Sequence, residues 1–202
     1  MASSAILPHL QRALGLHQAG RNAEAWTVLA PLRPAIDGDG PALRLFALVA
    51  QSASHIDEAI SALQRIAALE RDPPEIIGAL ADMLGTAGRH EEALTYWDKL
   101  VAKQPGLADA HLNRAIAAAN ARDHEGAVRA ADDGLKRFPG HARLLAVKAL
   151  ALKDSGKIPE AVAVFEQAVA SDPGRALTRH NQAVTLRAAC RFDEACSNDR
   201  TA

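Results

Sequence analysis

Apolar residues along this chain fall into short helical stripes. Ile77, Ala81 and Leu84 stand at i, i+4 and i+7, and so do Ala93, Trp97 and Leu100. That spacing lines one face of an α-helix. The same pair of stripes recurs as Leu145, Ala149 and Leu152 followed by Ala161, Phe165 and Ala168. Between the stripes of a pair stands a break, with Gly20, Gly88 and Gly156 at the same register. A residue that ends a helix often takes positive φ, which Gly adopts without penalty. Pro105-Gly106, Pro139-Gly140 and Pro173-Gly174 close three of the pairs. Each such dipeptide stops one helix and opens the next.

The pattern therefore predicts helix, turn, helix and short loop, repeated. Two Ala series fix the period. Ala13, Ala47, Ala81, Ala115, Ala149 and Ala183 are 34 residues apart, and so are Ala25, Ala59, Ala93, Ala127, Ala161 and Ala195. Numbering each unit from 1 to 34 places them at positions eight and twenty. Small residues there let the paired helices meet backbone to backbone. Glu24, Glu58, Glu92, Glu160 and Glu194 hold position nineteen, where a carboxylate suits the positive end of the second helix. Two short helices cannot bury their apolar faces alone, so such units stack on neighbours.

In period, in small residues at eight and twenty and in Pro at thirty-two, the chain resembles the tetratricopeptide repeat (TPR) family. The clearest matches are Ala108-Asp109-Ala110-His111-Leu112-Asn113-Arg114-Ala115 through Pro139, and Gly88-Arg89-His90-Glu91-Glu92-Ala93. The resemblance runs from about Ile6 to Ala202 and implies an all-α fold, an α-solenoid of antiparallel helix pairs in a right-handed superhelix. The expected organisation is a single array over 1–202, with repeats near 6–39, 40–73, 74–107, 108–141 and 142–175 and a partial sixth over 176–202. Position four, often Trp in that family, is His9, Leu43, Ile77, His111, Leu145 and Arg179 here.

Composition narrows the function. Net charge is −1, with 23 basic and 24 acidic residues interspersed. No field results that would steer nucleic acid or an anionic membrane. No apolar run reaches the ~18 residues a membrane helix needs, and Met1-Ala2-Ser3-Ser4 opens no signal peptide. Cys190 and Cys196 form no Cys-x-x-Cys pair. The expected setting is cytoplasmic and bacterial.

Local departures carry further expectations. Pro31 and Pro34 should kink or stop the second helix of the first repeat, and Asp37-Gly38-Asp39-Gly40-Pro41 reads as a loop and hinge. Asp72 is a candidate cap before Pro73-Pro74. Trp97 reads as a core residue. Repeat four is thin, with Ala115, Ala118, Ala127, Ala131 and Gly134 where others carry larger residues. In repeat six, Phe192-Asp193-Glu194-Ala195 reads as the start of a second helix, with polar Asp199 at an apolar register. That helix frays and its partner caps the array, or the chain is cut from something longer.

No catalytic signature is present. The histidines make no His-Glu-x-x-His, and His90 and His124 read as solvated turn residues. No phosphate-binding Gly loop or Gly-x-Ser-x-Gly occurs. The reading is a non-catalytic scaffold or adaptor that takes no cofactor or metal and binds a protein or peptide segment. The resemblance implies that positions two, five, six, nine, twelve and thirteen of the first helices line the ligand groove. It supplies as candidate partner-binding residues Asp82, Gly85, Asp109, Leu112, Asn113, Ile116, Asn120, Arg143, Leu150 and Lys153. Gly78, Leu112, Ala146, Ile116 and Leu150 would make an apolar floor, suited to a peptide with two or three apolar anchors. Only Asn113 and Asn181 match the clamp by which part of the family grips a C-terminal carboxylate. Two alternatives stand beside this reading. One is the helical arm of a larger enzyme of glycosyltransferase or sulfotransferase type, truncated after Ala202. The other is a homo-oligomer that self-associates through an uncapped end.

Overall fold

The computed structural model describes residues 5–199, with side chains described as far as residue 190. Eleven α-helices and one 3₁₀ segment make up those residues, with no strand among them. The first pair is α1 (Leu7–Gln18) and α2 (Asn22–Leu29). The 3₁₀ segment Ala30–Ile36 follows. Then come α3 (Gly40–Ser52), α4 (Ile56–Glu70), α5 (Pro74–Thr86) and α6 (His90–Lys103). The rest are α7 (Ala108–Asn120), α8 (His124–Arg137), α9 (Ala142–Asp154), α10 (Ile158–Ser171) and α11 (Ala176–Asp199). Contacts divide the chain into two compact units, residues 1–96 and 97–202.

The Ala registers make the core of each unit. At position eight Ala13, Ala81, Ala115 and Ala149 are 0% exposed. At position twenty Ala25, Ala59, Ala93, Ala127 and Ala161 are 0% exposed as well. In the second unit Leu145, Ala149 and Leu152 of α9 form one cluster with Ala161, Phe165 and Ala168 of α10. Positions four, eight and eleven of a first helix therefore face its own second helix. Positions three and ten turn the other way, onto the preceding second helix. A Cβ added at Gly134 of α8 would come within 2.9 Å of Leu144 Cδ1, at position three of α9. The thinness of repeat four lets these helices approach closely. Trp97 is buried, as its register predicts.

The turn at position fifteen is left-handed in every repeat that has one. Gly20, Gly88 and Gly156 have φ of 75°, 76° and 82°. Ser54 and Arg122 hold the same register at φ 66° and 64°. The amide three residues past each of these first helices bonds back across the turn, as Arg89 N–H does to Leu84 O at 2.9 Å. This bond selects the αL conformation even where a side chain makes it costly. Position nineteen has its own fastening. Arg21 donates to Glu24 at 2.6 and 2.5 Å. Arg89 donates to Glu92 at 2.6 and 2.8 Å. Repeat four has Gly126 instead, and Asp123 caps its amide at 2.7 Å. The bound guanidinium holds the Glu24 and Glu92 carboxyls below their ordinary range.

Four sequence expectations need correction. The α-helix does stop ahead of Pro31, at Leu29, but the segment with Pro31 and Pro34 is packed. It continues α2 as a 3₁₀ turn, buries Ile36 completely and touches α2 and α3. Arg65 clasps its end, bonding Asp37 O at 2.9 Å and Asp37 Oδ2 at 2.8 Å. Only residues 37–39 stay outside helices, because Asp39 caps α3 by accepting from Ala42 N–H at 3.1 Å. Asp72 is not the N-cap of α5: it follows Arg71 in the left-handed region, and Pro73 holds that place. His90 and His124 each start a second helix at position seventeen, where Ile56 and Ile158 stand elsewhere. That register turns inward, so their Nδ1 atoms are buried without a hydrogen-bond partner. Finally, repeat six makes no turn. Cys190 stays helical and α11 runs on to Asp199. The side chains of Cys196 and Asp199 lie outside the described residues.

Among the described residues no helix is long and apolar enough to cross a membrane.

Candidate functional site

The first helices of the second unit lie side by side: α7 touches α9, and α9 touches α11. Their shared register sets equivalent positions in rows. Position nine gives Ile116, Leu150 and Val184. Ile116 and Leu150 are half-buried, and Val184 is 40% exposed. Leu150 and Ala146 pack on the α9–α10 core with one side. Position two gives Asp109, Arg143 and Leu177. Arg143 reaches Asp109 at 3.8 Å across the α7–α9 join, and Leu177 is 62% exposed. Asn113 is half-buried beside this row, Asn120 is exposed, and Lys153 pairs with Asp154 at 3.1 Å.

Leu112 does not belong to this surface. It is only 1% exposed, so it packs inside the unit and offers a ligand nothing. Position five varies from repeat to repeat, exposed at Arg44 and His180 and buried at Leu112. Val184 and Leu177 were missed, although position nine of the earlier repeats pointed to the first of them.

In the first unit position nine is again outward. Leu14 is 40% and Leu48 45% exposed. Asp82 interrupts the apolar register on α5, and desolvation raises its carboxyl above the ordinary range. Gly85 is open: an added Cβ would meet nothing within 4 Å.

His111, at position four, is tied inward. Its Nε2 lies 3.1 Å from Pro105 O, which can only accept, so Nε2 carries the proton. Phe138 meets the ring edge-on at 5.7 Å, and Nδ1 is buried without a partner. This anchors the loop that leads into α7. Elsewhere in the second unit a cavity of about 500 Å³ lies among α8, α9 and α10, with Lys148 and Gln167 in its wall. Lys148 is neutralised by Asp132 at 2.7 Å, and no candidate residue lines the cavity. Among the described residues no three metal-ligating side chains are grouped.

The candidate surface is thus an apolar row with a mixed polar border. Known proteins resemble the chain in its repeats and its fold. The family model for the tetratricopeptide repeat matches residues 44–108, 79–142, 112–176 and 146–196. A TPR repeat-containing protein of Pseudomonas aeruginosa is 33% identical over 96 residues, 46% of this chain. The match spans 16% of that protein's length. Among solved structures, YrrB, described as a TPR protein with an unusual peptide-binding site, aligns with a TM-score of 0.68 at 16% identity. That alignment covers 90% of this chain and 99% of YrrB. A MamA structure aligns with a TM-score of 0.67 at 18% identity, over 84% of this chain and 93% of that one. MamA from Desulfovibrio magneticus aligns with a TM-score of 0.65 at 12% identity, over 87% and 99%. These likenesses are of fold: all-α, an α-solenoid of helix pairs. With the family model matching across residues 44–196, the chain belongs to the tetratricopeptide repeat family.

Proposed function

We propose that this chain is a non-catalytic adaptor that binds an extended or helical peptide segment on the first-helix face of its second unit. The observation that carries the reading is the row Ile116, Leu150 and Val184, with exposed apolar surface at one register on three neighbouring helices. Asp109, Arg143, Asn113, Asn120 and Lys153 border it. An apolar strip with a polar rim suits a peptide that inserts two or three apolar side chains and satisfies its polar groups at the edge. The peptide-binding site ascribed to YrrB supports the same class of partner. Asp82 and Gly85 hold the equivalent registers on α5 and carry the same reading for the first unit. The whole chain then acts as one array of repeats in a cytoplasmic bacterial setting.

The test is selection from a displayed random-peptide library, followed by titration of the selected peptides. Enriched peptides should share two or three spaced apolar residues. Each anchor contributes roughly 1.5–3 kcal/mol, so Ile116→Asp with Leu150→Asp should weaken binding by at least about a hundredfold. The helical circular dichroism should be unchanged. A folded double variant that binds as the parent does would move the site off this face.

A further inference from the structure

Position nine of the first helices is apolar in five repeats, as Leu14, Leu48, Ile116, Leu150 and Val184. In repeat three it is Asp82. Within the first unit this sets one carboxylate in register with two exposed leucines, Leu14 at 40% and Leu48 at 45%. α1 touches α3, and Arg44 of α3 reaches Glu75 of α5 at 3.8 Å. So α1, α3 and α5 follow one another on this face, and their position-nine side chains make one row.

Nothing in the fold uses the Asp82 carboxylate. Thr86 Oγ1 donates to the Asp82 backbone O at 2.9 Å and not to the side chain. Among the described residues Asp82 enters no ion pair, and no charged neighbour offsets the desolvation of its carboxyl. Arg44, the basic residue at position five of α3, is already held by Glu70 at 2.5 Å and by Glu75. Glu75 stands seven residues before Asp82, about 10 Å along the helix axis. Asp82 is exposed, and the surface beside it is open at Gly85, where an added Cβ would meet nothing within 4 Å. A desolvated carboxylate that pairs with nothing weakens the fold, which points to a use outside the fold.

The charge of the unit says what that use is. Residues 1–96 carry 11 acidic residues against 7 arginines and no lysine. A basic ligand suits such a unit, and the exposed leucines in the same row call for apolar groups beside the cation. Both come together in a peptide. Neighbouring packed helices lie about 8–10 Å apart. A polyproline II segment advances about 9 Å every three residues and completes one turn, so its residues i, i+3 and i+6 present one side at that interval.

We propose that the first-helix face of the first unit binds an extended basic segment, whose lysine or arginine pairs with Asp82 and whose apolar residues three and six positions away seat on Leu48 and Leu14. This rests on the reading of the first-helix face as a peptide surface and adds a charge and a spacing to it. The long stem of the basic side chain finds room over Gly85. Asp82 is then the specificity-determining residue: it meets a cation favourably and repels an acidic peptide.

The test uses the full chain and a displayed library of fixed frame, Leu-x-x-Leu-x-x-z and its reverse, with x and z random. Lysine and arginine should be enriched at z. Asp82→Asn keeps the size of the side chain and removes a desolvated charge, so it should fold at least as well as the parent. It should erase the preference at z and weaken the selected peptides about five- to tenfold. Exchanging the lysine at z for glutamine should weaken binding to the parent by the same factor and leave binding to the Asp82→Asn variant unchanged. Asp82→Lys should turn the preference toward aspartate and glutamate, a reversal that a merely structural role would not produce. No basic preference at z, or one that survives Asp82→Asn, would overturn the proposal. Ile116→Asp with Leu150→Asp separates it from the second-unit reading, because peptides held by Asp82 should bind that variant as they bind the parent. Selected peptides that lack a basic residue and are lost with Ile116 and Leu150 would remove this site and leave the other standing.

Discussion

Gly134 lies against Leu144 with no room for a methyl group between them: a Cβ there would stand 2.9 Å from Leu144 Cδ1 and 3.1 Å from His111 Cβ. Gly in a helix is normally a liability of roughly 0.5–1 kcal/mol relative to Ala. Here the close approach of α7, α8 and α9 reverses the sign. Gly134→Ala should destabilise the protein by about 1 kcal/mol, the overpacking cost exceeding the gain in propensity. Gly85→Ala, in open space on α5, should stabilise it by roughly 0.5–1 kcal/mol. Urea unfolding of the two variants checks the contrast. Equal signs would mean that repeat four is not closely packed.

The left-handed turns make a second pair of opposites. Arg122 holds φ 64° with a side chain, and Gly156 holds φ 82° without one. Arg122→Gly should stabilise by up to about 1 kcal/mol, and Gly156→Ala should cost about 1 kcal/mol. Thermal denaturation measures both. Loss of stability on Arg122→Gly would show that the arginine side chain contributes more than its backbone costs.

Asp82 supplies the pH prediction. Desolvation raises its folded pKa, so the folded state holds the proton more tightly than the unfolded chain does. The stability associated with the protonated form is full below the unfolded value and is lost as pH rises through the folded one. Asp82→Asn should therefore be more stable than the parent at neutral pH. The advantage should shrink as pH falls through the carboxylate range. A difference that does not vary with pH would assign the effect to something other than ionisation.

The join after α2 gives a fourth test. Arg65→Ala removes the clasp on Asp37 O and Asp37 Oδ2. The Asp37 carboxyl is held low chiefly by its hydrogen bond from Arg33, which the change leaves in place. Amides of the 3₁₀ segment should then exchange faster, while those of α9 and α10 keep their protection. Unchanged exchange at residues 30–39 would show that Ile36 burial alone holds the segment.

Most of the fold was legible because its information is periodic. Ala at eight and twenty meets the same helix contact in each of the first five repeats, so one register predicts burial at many sites. What was illegible depends on single contacts. Ser54 and Arg122 do not look like αL residues; the helix ends impose that conformation on them. Pro31 and Pro34 signal a break in an α-helix but not whether a 3₁₀ turn follows. The exposed row at Ile116 and Leu150 could be placed by register. The burial of Leu112 could not, because position five is exposed in some repeats and buried in others. Cys190 stands at the turn register by spacing, but α11 runs through it as one helix.

Trp26 stacks on His55 at 4.3 Å, nearly parallel, and meets the edge of Phe46 at 5.1 Å. The chain's other tryptophan is Trp97, in the second unit. Each compact unit therefore carries its own fluorophore, in different surroundings: one half-buried indole against an imidazole, and one buried indole. Trp26→Phe and Trp97→Phe would leave single-colour proteins whose emission reports one unit at a time. Whether the two halves melt together or in sequence then becomes a matter of comparing two optical traces, with no label added.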